Sequence, residues 1–242
     1  MNFRTKVIQQ LIDVNEKIFF YPKLKKVYSQ FLNSKSPVIL DVGCNKGQSV
    51  DFFLNINDSS MIYAFEPNKK LYIQLQEEYQ NFHNIQLFNL GVSSQNGKLT
   101  FNENIMDETS TFETLNYDSA YLKKKAKILG VSPKKLITES YEVEVITLSS
   151  FIEEKKIDKI DVVKIDVEGH EFSCLQGLFD QPNIANRIHF IQLEHHEDDM
   201  YMNKKDDYMI KQLLKNNGFE EFEKIKHGFG DIFEIIYKNV NL

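Results

Sequence analysis

Short apolar runs alternate with amphipathic segments from Pro37 onward, and this alternation limits the possible folds more than any other feature of the chain. The apolar runs are predicted to be strands, at residues 38–42, 61–65, 85–90, 162–165, 190–193 and 232–237. Helices are predicted at about residues 48–54, 69–79, 171–178 and 205–216. Strands that alternate with helices form mostly parallel sheets joined by crossover helices, so the sequence predicts an α/β fold with helices on both faces of the sheet.

The chain is predicted to have one main domain with two additions. Residues 1–36 form an N-terminal helical segment in which Pro22 separates two helices, and residues 37–242 form the main domain. Residues 102–140 interrupt the alternation with a Thr-rich acidic stretch and then a lysine-rich one. Such insertions often lie on the ligand face, so this one is predicted to be a lid or acceptor wall whose lysines at 123–127 favour anionic groups. A solvated helix without a role is the alternative.

Charge and composition exclude several classes of protein. The formal net charge is -6, which argues against a nucleic-acid scaffold held by a basic surface. Two cysteines are too few for a disulfide framework, and no apolar run approaches the length of a membrane span. The first residues lack the apolar core of a signal peptide. We therefore expect a soluble, cytoplasmic protein without a nucleic-acid partner, and its oligomeric state is left open.

The first predicted strand ends in a turn that contains two glycines, in the stretch VILDVGCNKGQSV at residues 38–50. Ligands of open α/β sheets bind beyond the carboxyl ends of the strands, so this turn is predicted to be a binding loop. Gly43 and Gly47 would permit a tight turn and a close approach of the backbone to the ligand. Glu66 ends the second predicted strand, where a carboxylate typically binds the ribose hydroxyls of a nucleotide cofactor.

The glycine spacing and the preceding acid favour one class of cofactor. The dinucleotide-binding pattern is G-x-G-x-x-G, whereas this loop has Asn45 where the second glycine would fall. Asp41 would repel a pyrophosphate, but it suits the cationic amino-acid portion of S-adenosylmethionine. An ordinary strand–turn–helix of another α/β fold is the alternative.

Ionisable residues also follow two later strands, in DVVKIDVEGHEF and IHFIQLEHHEDD. They are Asp166, Glu168 and His170 after one strand, and Glu194, His195 and His196 after the next. Such side chains at the ends of central strands are costly unless they are used, which makes them candidates for a catalytic base. Strand alternation places Glu194 and His195 on opposite faces, and the sequence leaves open which of them faces the cleft.

Four motifs, in this order and spacing, resemble the FkbM-like family of S-adenosylmethionine-dependent methyltransferases. They are DVGCNKG at 41–47, FEP at 65–67, GVSSQNGKLTF at 91–101 and KIDVEGHE at 164–171. The resemblance covers about residues 37–195 and leaves out the N-terminal helices and the insertion. It implies a Rossmann-like class I methyltransferase fold, with seven strands of which the last is antiparallel, and S-adenosyl-L-methionine as the cofactor.

The resemblance also implies a set of site residues and a reaction. The cofactor would be bound by Asp41, Gly43, Cys44, Asn45, Gly47, Glu66, Pro67, Gly91, Val92 and Asp166. The predicted catalytic residues are Asp166, which positions the reactants, and Glu194 or His195, which takes the proton. The acceptor would be a hydroxyl of a sugar, a glycan precursor or another hydroxylated small molecule. A divalent metal at Asp166, Glu168, Glu194 and His195 is possible but not favoured, because no compact ligand motif is present.

Two other classes of function share part of this pattern. An NAD(P)-dependent oxidoreductase would have the strand, the glycine turn and Glu66, but it would not explain Asp41 or the KIDVEGHE motif. A non-catalytic nucleotide-binding subunit would keep the cofactor loop and could lose the second group of ionisable residues.

Overall fold

The computed structural model describes residues 14–196, 198–202, 207–227 and 232–242. The strands in these ranges are β1 (Val38–Val42), β2 (Met61–Phe65), β3 (Ile85–Phe88), β4 (Gly91–Val92), β5 (Gly97–Asn104), β6 (Ile137–Ile146), β7 (Ile160–Ile165), β8 (Ile188–His196), β9 (Phe219–Lys226) and β10 (Ile232–Asn239). The α-helices are α1 (Tyr21–Tyr28), α2 (Gln48–Ile56), α3 (Lys69–Glu78), α4 (Ala120–Leu129), α5 (Leu148–Lys155), α6 (Glu171–Leu178) and α7 (Asp207–Asn216). Within these residues no helix is both long and apolar enough to cross a membrane.

The main sheet has seven strands in the order β3-β2-β1-β7-β8-β10-β9. Neighbours from β3 to β8 pair in parallel, and β10 pairs antiparallel with both β8 and β9. The predicted α/β class, the mostly parallel sheet and the antiparallel last strand are therefore confirmed. The carboxyl ends of β1, β2, β7 and β8 meet at one edge of the sheet, where ligands of such folds bind.

Each face of the sheet is covered by helices that bury its alternating apolar side chains. On one face, Leu40 and Val163 lie in a core with residues of α5, α6 and α7. On the other face, Ile39 and Val162 pack with residues of α1, α2 and α3. The part of the predicted N-terminal segment that is described thus packs directly on the sheet.

The N-terminal helix does not break at Pro22. A π-helical segment, Glu16–Phe20, continues directly into α1, and Pro22 lies in the first turn of α1. Because the residues before it are helical, Pro22 removes one backbone donor from the helix, and the π-helical segment immediately before it accommodates that loss without a break. Residues 1–13 of the predicted helical segment lie outside the described residues.

The insertion at 102–140 is a folded unit carried by the β5–β6 pair. These two strands and β4 form a second sheet in the order β4-β6-β5, and α4 lies between β5 and β6. Leu122 and Leu129 of α4 are buried in a small core that also contains Tyr201 from the segment after β8. Helix α4 therefore packs one face on this core and exposes the other, and the role of the insertion stays a prediction.

The sequence analysis did not identify α4, α5, β9 or the second sheet. Strand β9 lies at the edge of the main sheet, and its sequence FEEFEKIK is mostly charged and exposed. An edge strand of this kind lacks the apolar alternation on which the strand predictions depended.

Candidate functional site

A pocket lies at the carboxyl ends of the parallel strands, and every wall of it contributes polar groups. The sheet edge provides Gly43, Cys44, Asn45, Glu66, Pro67, Gly91, Val92, Lys164, Asp166, Glu168 and Glu194. The insertion provides Asp107, Glu108, Ser110, Thr111 and Phe112. The N-terminal helix adds Glu16, Phe20, Tyr21 and Leu24, and the C-terminal strands add His227 and Glu234. Most of the predicted site residues thus meet in one pocket, but Asp41, Gly47 and His195 are not in its described lining.

The glycines of the loop after β1 are required by contacts within the protein. Gly43 and Gly47 have positive φ angles of 79° and 84°. A Cβ atom on Gly43 would lie 1.9 Å from the carbonyl oxygen of Asp166, and one on Gly47 would lie 2.4 Å from the Tyr79 hydroxyl. The positive φ angles agree with the predicted tight turn, and the close packing of this loop on the end of β7 and on Tyr79 is a further reason for the glycines. The predicted approach of a ligand to this loop stays a prediction.

Gly43→Ala should lower the free energy of unfolding by about 2–3 kcal/mol, since both the left-handed backbone and the Asp166 carbonyl oppose a Cβ atom. Gly97→Ala is a matched control, because φ there is also positive, at 156°. A Cβ atom added at Gly97 would have no atom within 4 Å beyond those of its chain neighbours. Urea unfolding followed by circular dichroism measures both. Equal losses in the two variants would contradict the assigned contact.

Glu66 is a buried carboxylate at the wall of the pocket, with 4% of its surface exposed. Its two oxygens accept hydrogen bonds from the backbone N–H groups of Asn45 (2.9 Å) and Asn68 (2.8 Å). Burial raises the pKa of Glu66 to about 8, although these two N–H groups act in the opposite direction. The buried Oδ1 of Asn45 has no hydrogen-bond partner among the described residues. This side of the pocket therefore offers acceptors to a ligand that carries hydroxyl or amino groups.

A buried lysine joins two acids beneath the pocket. Nζ of Lys164 lies 3.0 Å from Oδ2 of Asp166 and 3.7 Å from Oδ1 of Asp41, whose other oxygen accepts a hydrogen bond from Ser49. Burial raises the pKa of Asp41, and Lys164 opposes that rise. Burial would lower the pKa of Lys164, but Asp166 and Asp41 raise it well above its usual value. The cation nearest to Asp41 is thus Lys164, which the sequence analysis missed although it stands in the KIDVEGHE motif.

Further buried polar side chains lie next to Lys164 across the sheet. Gln192 of β8 is the cross-strand neighbour of Lys164, and its Nε2 donates to Oε2 of Glu234 at 3.0 Å. The hydroxyl of Tyr28 in α1 donates to Oε1 of Gln192 at 2.7 Å. These hydrogen bonds couple the N-terminal helix to the floor of the pocket.

Strand β8 resolves the choice between Glu194 and His195. Gln192 and Glu194 lie two residues apart on the face that lines the pocket. Nε2 of His195 lies 3.1 Å from Oδ2 of Asp207 in α7, on the other face. The structure brings Asp166 and Glu194 together at the pocket and separates His195 from both. The side chain of His196 lies outside what the structure describes.

His227 follows β9 and closes the side of the pocket next to the N-terminal helix. Its ring stacks on Phe20 with the ring centres 4.1 Å apart. Burial would lower its pKa, but Glu16 and Glu234 raise the pKa to about 10. The sequence carried no signal for His227 or Glu234, because both lie in charged stretches without a motif.

Hydrogen bonds fasten the insertion to the loop after β7. Nδ1 of His170 lies 2.8 Å from Oε1 of Glu113, and Nε2 of His170 lies 3.0 Å from the Ser93 hydroxyl. The Thr111 hydroxyl donates to the carbonyl oxygen of Glu168 at 2.7 Å. His170, one of the candidates for a catalytic base, is therefore a buried connecting residue and is not in the described lining of the pocket.

The insertion contributes acidic residues to the pocket, and its lysines lie elsewhere. Lys123 and Lys127 line a separate hollow beside Pro133. Asp107 and Glu108 line the pocket, where Nζ of Lys46 lies 3.4 and 2.6 Å from their respective carboxylates. The insertion thus lines the pocket with acids, whereas Lys123 and Lys127 lie away from it. That the insertion contacts an acceptor stays a prediction.

Comparisons with known proteins agree with this geometry. The model of the methyltransferase FkbM domain family matches residues 41–221. The chain is 24% identical to "2-O-methyltransferase NoeI" of Sinorhizobium fredii over 74% of this chain and 71% of that protein. It is 26% identical to "Hexuronic acid methyltransferase AglP" of Haloferax volcanii, over 66% and 56% of the respective chains.

Two solved structures share the fold at low sequence identity. A SAM-dependent methyltransferase from Aquifex aeolicus gives a TM-score of 0.50 at 11% identity and covers 99% of this chain and 100% of its own. Magnesium protoporphyrin IX methyltransferase from Synechocystis PCC 6803, solved with bound SAH, gives 0.53 at 12% identity, with coverage of 98% and 86%. These likenesses support the class I methyltransferase fold that was predicted.

Proposed function

Because the chain belongs to the FkbM methyltransferase family, and is therefore an enzyme that takes its methyl group from S-adenosylmethionine, we propose that it methylates a hydroxyl group of a sugar or a similar hydroxylated small molecule. The observation that carries this proposal is one pocket with Glu66 and Asn45 on one side and two further carboxylates, Asp166 and Glu194, on another. The family assignment excludes the oxidoreductase alternative.

The donor side of the pocket suits the nucleoside and amino-acid parts of the cofactor. The Glu66 carboxylate would accept hydrogen bonds from the ribose hydroxyls, and Oδ1 of Asn45 is a buried acceptor that still lacks a donor within the described chain. Gly91 and Val92 would lie beside the adenine. When bound, the cofactor supplies an electrophilic methyl group on a sulfonium.

The acceptor side has two carboxylates with different tasks. Lys164, 3.0 Å away, stabilises the ionised form of Asp166, which suits a residue that orients hydroxyl groups rather than one that takes up a proton. Glu194 would accept the proton of the reacting hydroxyl as the oxygen attacks. Tyr21 lines the pocket beside Phe20, whose ring is stacked on His227, and Tyr21 would offer an aromatic face to the apolar side of a sugar ring. His195 has no part in this mechanism because it lies on the other face of the sheet.

The affinity for S-adenosylhomocysteine should rise with pH up to about 8, where Glu66 loses its proton. Ribose hydroxyls donate to the ionised carboxylate, so each pH unit below the pKa should weaken binding by up to about tenfold. Glu66→Gln should bind weakly at every pH, whereas Glu154→Gln, a change on the exposed side of α5, should keep the wild-type profile. Titration calorimetry from about pH 6 to about pH 9 measures the affinity for S-adenosylhomocysteine. A wild-type affinity that does not change with pH would contradict the prediction.

Transfer of a labelled methyl group to candidate acceptors tests the proposed reaction itself. The panel should contain matched glycosides with neutral, carboxylated and amino sugars, so that only the charge of the acceptor varies. We expect an ether on a sugar hydroxyl, identified by nuclear magnetic resonance of the product. A label found only on nitrogen, or only as a carboxyl ester, would overturn the proposal.

A further inference from the structure

Three metal-ligating side chains meet at the part of the pocket beside the N-terminal helix. Glu194 of β8 and Glu234 of β10 are directly opposite each other on paired antiparallel strands. His227 follows β9, the strand on the other side of β10. One ligand atom from each of the three side chains lies within 4.8 Å of the other two.

The arrangement gathers more carboxylates than the protonated imidazole of His227 alone can balance. Two carboxylates directly opposite each other on one face of a sheet repel, and Glu234 is only 3% exposed. Glu16 adds a third carboxylate, 3.6 Å from Nδ1 of His227. Nε2 of His227 is buried and has no hydrogen-bond partner among the described residues, and it lies 3.7 Å from Oε1 of Glu234. That separation is too long for a hydrogen bond.

We propose that Nε2 of His227 and one oxygen each of Glu194 and Glu234 bind a single divalent cation of the first transition series, such as Mn²⁺ or Zn²⁺. Atoms bound to one such ion at roughly 2.0–2.2 Å lie roughly 3–3.5 Å apart. The observed 3.7 Å between His227 and Glu234 therefore needs only a small contraction.

The ligand set selects the kind of cation. An imidazole nitrogen with two carboxylates suits Mn²⁺ and Zn²⁺, whereas Mg²⁺ prefers oxygen ligands and water. Three protein ligands at the wall of an open pocket leave coordination positions for water or for an acceptor. One further step rests on the proposed function. The cation would lower the pKa of an acceptor hydroxyl, and the second oxygen of Glu194 would remain available to accept its proton.

Titration of the full chain with Mn²⁺, followed by the electron paramagnetic resonance signal of the free ion, tests the site without methyl donor or acceptor. We expect one Mn²⁺ per chain with a dissociation constant below about 100 μM. Equimolar Zn²⁺ should displace the Mn²⁺, whereas a roughly hundredfold excess of Mg²⁺ should not. His227→Ala and Glu234→Gln should each weaken binding at least about tenfold.

His189→Ala and Glu223→Gln are matched controls, since they change the same residue types on β8 and β9 outside the cluster, and both should bind Mn²⁺ like the wild type. Thermal melts establish that each variant is folded, and Glu234→Gln keeps the side-chain shape should His227→Ala fail to fold. Absence of stoichiometric binding, or equal affinity in Glu234→Gln, would overturn the site, leaving protonated His227 as the partner of the carboxylates. Neither result depends on which acceptor the enzyme methylates.

Discussion

Glu194→Gln should lower kcat by about 10²–10⁴-fold and leave the affinity for S-adenosylhomocysteine within about twofold of the wild type. The carboxylate lines the acceptor side of the pocket, and the amide keeps its shape but cannot take the proton of the hydroxyl. The loss should appear in turnover because the missing interaction is made in the transition state. Single-turnover transfer of a labelled methyl group measures it, with calorimetry for the cofactor.

His195→Ala is the sharpest control for Glu194→Gln, because it changes the neighbouring residue on the other face of the same strand. Its turnover should stay within about threefold of the wild type. Asp166→Asn should lower kcat by more than it weakens cofactor binding, since alignment of the reacting atoms matters most in the transition state. Near-native turnover in Glu194→Gln, or a large loss in His195→Ala, would place proton removal elsewhere.

Lys164→Met should destabilise the fold by about 3–5 kcal/mol, because it leaves Asp41 and Asp166 close together without their cation. Asp41 is fully buried, so water cannot replace the lost charge. Urea unfolding at neutral pH measures the change. Adding Asp41→Asn to Lys164→Met should restore part of the loss, since the amide removes one of the two uncompensated charges.

Lys159→Met is the control for the loss of a lysine as such. Lys159 also pairs with an aspartate of β7, at 2.8 Å from Asp161, but half of its side chain is exposed. Asp161 is buried, but it also accepts a hydrogen bond from the backbone N–H of Val38 at 2.9 Å, and water reaches Lys159. This variant should therefore lose only about 1 kcal/mol, well below the loss expected for Lys164→Met. A similar effect of the two lysine changes would mean that Lys164 does not hold the buried acids together.

The side of the pocket around Glu66 could be predicted from the sequence because its residues stand in short motifs at strand ends. Glu66 follows β2 directly, and the edge where parallel strands end is common to all sheets of this kind. The reason for Gly43 could not be predicted, because its contact with Asp166 joins two strands that are far apart in the sequence. Sequence spacing specifies a turn but not what packs against it.

The side of the pocket around Glu194 was predicted only in part, for physical reasons that differ among its residues. The sequence indicated that Glu194 and His195 lie on opposite faces, but the helix that covers each face is set by packing. His227 and Glu234 have no motif, and only the pairing of β8, β10 and β9 brings them together. The insertion was identified by its composition, yet its acidic residues, and not its lysines, lie at the pocket.

Phe20 and His227 stack at the pocket but lie far apart in the sequence, so the two sides of the pocket form at different times in a newly synthesised chain. The donor side takes most of its residues from positions 43–92, whereas the acceptor side joins an N-terminal helix to strands near the other end of the chain. Domains form as the chain leaves the ribosome, and contacts between distant residues form late. The pocket is therefore complete only after β10 has left the ribosome and paired with β8.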